Sequence, residues 1–183
     1  LLAFGVVILL MAVTAGVGVF SLQQVAARTG QMYSDRTLPI EWVGKANAAL
    51  YKLRGDLYKY LLIPEERAAT KQAILDDQKI IQENFDRYRQ TFLVDEEKQA
   101  LAEFDRAYAG YIAAVNEAIQ DMDSGNIEAA QTSINDGGAV SEARKQVGAA
   151  MNNIIDINSR VANELHQQSK TLAAQVEMIL IVL

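Results

Sequence analysis

Arg54 is the residue of this chain whose type and place most invite chemistry. It sits in a seam of helical spacing, Val43, Asn47, Leu50, Arg54, Leu57 and Leu61, where apolar side chains are expected. A charge in such a place must be paired or hydrated, because burying it alone is costly. Three roles are open to it. It can pair with an acid on the next helix, or act as a polar register device at a dimer seam. It can instead wait for an anionic ligand, with the neighbouring Tyr51 and Tyr58 as walls. The guanidinium fork suits a carboxylate, so an acid is the ligand this reading expects. Asn47 is the second polar interruption of the same seam. Asn158 and Gln168 interrupt the corresponding seam near the end of the chain and read as register or interface contacts.

Other chemistries find little support. The 183 residues contain no cysteine and a single histidine, His166, which excludes a disulfide scaffold, a cysteine-built metal site and a histidine-rich metal centre. Glu164 and His166 are two apart on a helix and fall on different faces, so they cannot form the Glu-x-x-His pattern of di-iron bundles. There is no glycine-rich phosphate loop and no local serine–histidine–acid signature, so neither an enzyme nor a cofactor is expected. The net charge of −6 disfavours nucleic acid as a partner. The acidic runs Asp76-Asp77 and Asp95-Glu96-Glu97 read as solvated helix or turn faces.

The elements that must position Arg54 are helices. Ala, Leu, Glu, Gln, Lys and Arg dominate residues 21–177, and β-branched runs are scarce. Four segments separate at recognisable stops. The first runs from about Ser21 to Ile63, and Pro64-Glu65-Glu66 opens a second that ends near Phe92. Asp95-Glu96-Glu97 opens a third, which stops near Asp123 because Gly125 follows where a left-handed cap is wanted. The fourth runs from Ile127 onward, and Gly137-Gly138 either interrupts it or costs it stability. Pro39 should bend the first helix or begin a second segment in it, with Trp42 packing into that bend or at an interface. Helices of about 43 and 50 residues flank two of about 29, or about 65 and 75 Å against about 43 Å. The lengths and short turns predict an all-α, antiparallel up-down-up-down four-helix bundle. Further seams support it: Leu101, Phe104, Tyr108, Tyr111 and Val115 in the third helix, and Val147, Met151, Ile154, Asn158, Val161, Leu165, Gln168 and Leu172 in the fourth.

The ends differ from the middle. No charge precedes Arg28 and none follows Glu177. Residues 1–20 are apolar or small throughout, the length of a membrane-spanning helix, and residues 177–183 read as the start of a second span. The domains expected are therefore a first membrane helix at 1–20, a polar four-helix domain at 21–176 and a truncated second membrane helix at 177–183. The long helices have more apolar surface near the membrane than two short ones can cover, which predicts a homodimer.

The order of features resembles the four-helix-bundle sensor domain of methyl-accepting chemotaxis proteins. The residues that carry the resemblance are Tyr33-Ser34-Asp35-Arg36-Thr37-Leu38-Pro39 and Leu50-Tyr51-Lys52-Leu53-Arg54. To these are added Asp95-Glu96-Glu97-Lys98 leading to Phe104, Tyr108 and Tyr111, and Ser124-Gly125-Asn126-Ile127-Glu128-Ala129-Ala130. The resemblance implies a homodimeric receptor of the bacterial inner membrane with its bundle in the periplasm or outside. A small molecule, a carboxylate or amino acid, would bind the membrane-distal half, and a small displacement of the fourth helix would carry the signal inward. In the related aspartate receptor, arginines on helix one of both subunits and polar groups early in helix four hold the amino acid. Arg54 matches one of those arginines, and Ser133 and Asn135 fall on the helix-four positions. Tyr58 and Ala49 fall on the other two arginine positions, with Lys59 on one of them in another register. The candidate ligand-binding set is therefore Arg54, Tyr51, Tyr58, Asn47, Ser133 and Asn135. The same domain type also occurs on sensor histidine kinases and cyclic-dinucleotide enzymes, and a ligand-free membrane-anchored scaffold is the other reading.

Overall fold

A computed structural model of the chain describes residues 2–182, and the side-chain surroundings of 3–178. Helix α1 spans Leu2–Met32, a π-helical turn spans Tyr33–Thr37, and α2 spans Leu38–Leu62. A 3₁₀ turn at Pro64–Glu66 leads into α3, Arg67–Arg89. Helices α4 (Asp95–Asp123), α5 (Ile127–Ile134) and α6 (Ala139–Val182) complete the order. Among the described residues there is no strand. The fold is an all-α four-helix bundle.

The punctuation has local causes. Proline cannot donate the backbone bond at position 39, and its ring crowds the carbonyl four residues back. The π-helical turn lies immediately before it and relieves that crowding by widening the ladder. Pro39 thus begins a second segment, and Trp42 packs half-buried against the core. At the end of α4, Gly125 takes φ +83°. The Gly125 amide then donates to Met122 O and the Asn126 amide to Asp121 O, closing a Schellman cap. The Gly137-Gly138 pair does interrupt the last long helix, separating α5 from α6. Gly137 has φ +81°, and a Cβ on Gly138 would stand 2.3 Å from Thr132 O and 2.4 Å from Ser133 O. Those are backbone atoms that cannot rotate away. Gly138→Ala should therefore cost about 1–3 kcal/mol, read as a lower denaturation midpoint.

Residues 38–158 form one compact unit. Its core is built from Leu53 and Leu57 of α2, Ile74, Ile81 and Phe85 of α3, Phe104, Tyr111 and Val115 of α4, and Val147, Met151 and Ile154 of α6. Phe85 and Phe104 stack with ring centroids 3.7 Å apart, and Tyr108 extends the stack at 5.5 Å. Small residues (Ala46, Ala49, Ala100, Ala118) are buried among them and let backbones approach.

Two expectations about charge are corrected. Asp77 does not face water: its side chain is fully buried beside Asp56, and Lys52 Nζ lies 2.9 Å from Asp77 Oδ1 and 3.6 Å from Asp56 Oδ2. Glu97 is also fully buried. One of its oxygens accepts from the Val94 amide at 2.9 Å and the other from the Tyr88 hydroxyl at 2.6 Å. Both residues continue a helical core stripe, Ile74–Asp77–Ile81 in α3 and Glu97–Leu101–Phe104 in α4.

The other unit comprises the chain before residue 38 and after 158. Within it, α1 and the end of α6 flank one apolar groove, with Leu22 and Val25 on one side and Leu172 and Val176 on the other. Phe4, Val6, Val7, Ile8, Leu9 and Met11 are all exposed. Among the described residues, one helix is long and apolar enough to cross a membrane, and it begins with this stretch. The second membrane segment expected at 177–183 lies largely outside the residues whose side chains are described.

Candidate functional site

Arg54 lies on α2 beside the buried stripe rather than in it. The residues of α2 that bury most deeply are Val43, Ala46, Leu53 and Leu57, and Asn47 and Arg54 flank them half-buried. Arg54 therefore keeps contact with water while its head reaches protein groups. Its Nε donates to the Tyr58 hydroxyl at 3.1 Å, and its guanidinium carbon stands 5.1 Å from the centre of the Tyr58 ring. The i,i+4 spacing places the two side chains on one face and permits both contacts. The Tyr58 hydroxyl in turn donates to the Ile134 carbonyl at 3.5 Å. This long contact ties α2 to the C-terminal end of α5.

Tyr111 of α4 has no exposed surface. Its hydroxyl has no hydrogen-bond partner among the described residues, and the same is true of the Tyr108 hydroxyl. Burial pushes the Tyr111 phenol far above its ordinary range, an effect offset in part by the positive charges of Arg144 and Arg54. Burial alone pushes Tyr108 up to about 12. Both phenols are therefore neutral hydroxyls, able to donate, across the physiological range. Arg144, early in α6, is half-buried. Among the described residues neither Arg54 nor Arg144 forms an ion pair, although the chain carries 23 acidic side chains to 17 basic ones. The groups that act electrostatically on Tyr111 are thus two guanidiniums and the phenols of Tyr58 and Tyr108.

The residues singled out in the sequence are only partly gathered. Arg54 and Tyr58 are in direct contact, and Tyr58 reaches the segment that carries Ser133 and Asn135. The Ser133 hydroxyl donates to Ala130 O at 2.7 Å. Ser133 also lines a groove of about 500 Å³ between α4 and α5 that carries Glu117, Asp121 and Glu128, a sign unsuited to an anion. Asn135 is exposed and caps α5, its amide donating to Thr132 O. Tyr51 is exposed on another face of α2, and among the described residues no hydrogen bond links Asn47 to Arg54 or Tyr58. Sequence reasoning missed Arg144 and the role of Tyr108 and Tyr111, which were read as seam residues. Tyrosine in place of phenylalanine at two seam positions was the signal, since a phenol in a core needs a partner.

The profile of a known family, described as a four helix bundle sensory module for signal transduction, matches residues 1–173. The chain belongs to this family of sensory modules. A search of curated proteins returned no match. The module is a signalling element rather than a catalytic domain by family, and its apolar, exposed N-terminal helix is compatible with membrane anchoring.

Proposed function

We propose that this sensory module is the extracytoplasmic part of a transmembrane chemoreceptor that binds a small carboxylate at Arg54 and Tyr58. The observation that carries the reading is a half-buried guanidinium with no acidic partner among the described residues, bonded to the Tyr58 hydroxyl. A carboxylate offers only acceptors, which is what this set of donors lacks. Membership of a sensory family supports a ligand-responsive role. In this reading residues 1–20 anchor the chain in the bacterial inner membrane, 21–176 form the periplasmic or external sensor, and 177–183 enter a second span. Two copies associate, and Ser133, Asn135, Asn47 and Tyr51 complete or border the site.

Signal transfer needs only differential affinity. A ligand that favours one packing of α2, α4 and α6 shifts the population toward it. Packed helices move by about 1–2 Å in such transitions. Helix α6 runs without a break from Ala139 to Val182, so a shift at its start has a continuous element to follow.

The test is titration calorimetry on the full chain in detergent or nanodiscs with a panel of small carboxylates. Binding is expected, and Arg54→Ala should weaken it about 10- to 100-fold, the effect of losing a charge-assisted bond of about 1.5–3 kcal/mol. Equal affinity in Arg54→Ala would remove Arg54 from the site. Absence of binding across the panel would favour a scaffold without a ligand.

A further inference from the structure

We propose that α1 and the end of α6 form a site for one anionic phospholipid, with its phosphate held by Arg28 and Lys170 and an acyl chain laid along the apolar groove beside them. This rests on the membrane-anchored reading above and adds a ligand that lies outside the compact unit of residues 38–158.

Three observations carry it. First, the groove is graded along its length. Leu22, Val25, Leu172 and Val176 line a section of about 510 Å³ on the side of the apolar N-terminal stretch. Arg28, His166 and Lys170 line the next section, of about 330 Å³. Val25, Leu172 and Ala173 belong to both, so the two sections are continuous. An apolar run ending in cations matches the order of parts in a phospholipid with an anionic head. Second, the cations are uncompensated. Among the described residues Arg28, His166 and Lys170 form no ion pair, and no acid lines their section. The Thr29 and Ser169 hydroxyls beside them donate to Val25 O and Leu165 O of their own helices, each at 2.9 Å. The cations are therefore the donors left for a phosphate. Glu177, which lines the apolar section, stands seven residues, about 10 Å, along α6 from Lys170. Third, the level suits a headgroup. Arg28 lies eight residues, about 12 Å, beyond Phe20. A helical side chain leans toward the N-terminus of its helix, so Arg28 leans back toward the apolar stretch. Long cationic stems bring their heads to the headgroup layer, which is roughly 5–8 Å deep on each side of the hydrocarbon. Cations at that level attract anionic lipids.

A second copy of the chain is the other occupant to weigh. The apolar walls do need cover, since Leu22 is 72% and Val25 50% exposed. A two-fold partner, however, would bring its own Arg28 and Lys170 to the same place, and like charges would meet without a counter-ion. A lipid covers the apolar walls and neutralises the cations together. Seated there, it would bridge α1 and α6 and resist their sliding past one another.

Native mass spectrometry of the full chain in detergent would follow lipid retained from an equimolar mixture of phosphatidylglycerol and phosphatidylcholine, with free glycerol 3-phosphate as a competitor. Phosphatidylglycerol should be retained at least tenfold over phosphatidylcholine. The double variant Arg28→Gln/Lys170→Gln should lower that preference at least fivefold, whereas Lys79→Gln, at an exposed lysine of α3, should leave it unchanged. Leu172→Gln should reduce phosphatidylglycerol retention with both cations intact. Equal retention of the two lipids, or a preference that survives the double variant, overturns this inference and leaves the membrane-anchored reading standing. Displacement of phosphatidylglycerol by an equal concentration of glycerol 3-phosphate overturns the lipid as the source of the phosphate. Retention of neither lipid also overturns it, and disulfide crosslinking of Val25→Cys between two copies would then assign the groove to a second chain. A full chain that stays dispersed in buffer without detergent overturns both readings.

Discussion

Glu97→Ala is expected to lower the stability of the bundle by about 3–5 kcal/mol, a large part of the total for a domain of this size. Glu97 occupies the third position of α4, where an acid can reach back to the amide that precedes the helix. Here the Val94 amide donates to Glu97 Oε2 at 2.9 Å. Val94 has no side-chain oxygen to offer in return, so this is one half of a capping box. The other oxygen accepts the Tyr88 hydroxyl at 2.6 Å, and Asn158 Nδ2 donates to that hydroxyl at 3.4 Å. One carboxylate therefore holds the start of α4, the end of α3 and the middle of α6 together. Alanine removes it, leaves a cavity beside the fully buried Tyr88, and strips the half-buried Val94 amide of its acceptor. Urea denaturation followed by circular dichroism reads the change. Glu97→Gln, which keeps the shape and one acceptor, should cost roughly half as much. A loss below about 1 kcal/mol for alanine would mean that the network is replaced by water.

The helices were legible because their punctuation is chemical. Pro64, the acids at 95–97, Gly125 and the Gly137-Gly138 pair each mark an end that the structure contains. The seams were legible wherever apolar residues fill them, as in Leu101–Phe104–Tyr111–Val115 and Val147–Met151–Ile154. They misled where a charged residue continues the stripe. Glu97 stands four before Leu101, and Asp77 stands between Ile74 and Ile81, so helical phase puts both inward. A carboxylate's own preference for water points outward at both positions, and helical phase overrides it. On α2 the error ran the other way. Val43, Leu50, Leu57 and Leu61 are buried, but the deepest stripe passes through Ala46 and Leu53, and that shift leaves Asn47 and Arg54 on its flank. An alanine beside a leucine gives too weak a signal to fix the phase of a helix to one residue. The site was legible only as Arg54 and Tyr58, which share a face of one helix. Arg144 lies 90 positions further along the chain, and no local spacing links it to them.

Lys52→Met should cost about 2–4 kcal/mol at pH 7, and the loss should shrink as the pH falls toward 4. Lys52 reaches across from α2 to the fully buried Asp77 carboxylate, which lies beside Asp56. Lys59 Nζ, 3.7 Å from Asp56, is the other cation facing the pair. Burial raises the Asp77 carboxyl above its ordinary range, and Lys52 opposes that shift without cancelling it. Methionine keeps the stem and removes the charge, so two carboxylates are left together with Lys59 as their one cation partner among the described residues. Breaking a buried pair by removing one partner costs about 3–5 kcal/mol, and the 60% exposure of the Lys52 side chain reduces that figure. The sign with pH follows from the raised value. A carboxyl whose folded pKa exceeds its unfolded pKa contributes most stability when protonated, below the unfolded value, and loses that contribution as pH rises through the folded one. Removing Lys52 raises the folded value further, so the penalty is largest above that value and fades in acid. Asp77→Asn, which resembles the protonated acid and can donate toward Asp56, should rescue Lys52→Met at pH 7. The double-mutant cycle in urea at pH 7 and pH 4.5 gives the coupling directly. A penalty independent of pH, or no rescue by Asp77→Asn, would assign the effect of Lys52 to the packing of its stem rather than to its charge.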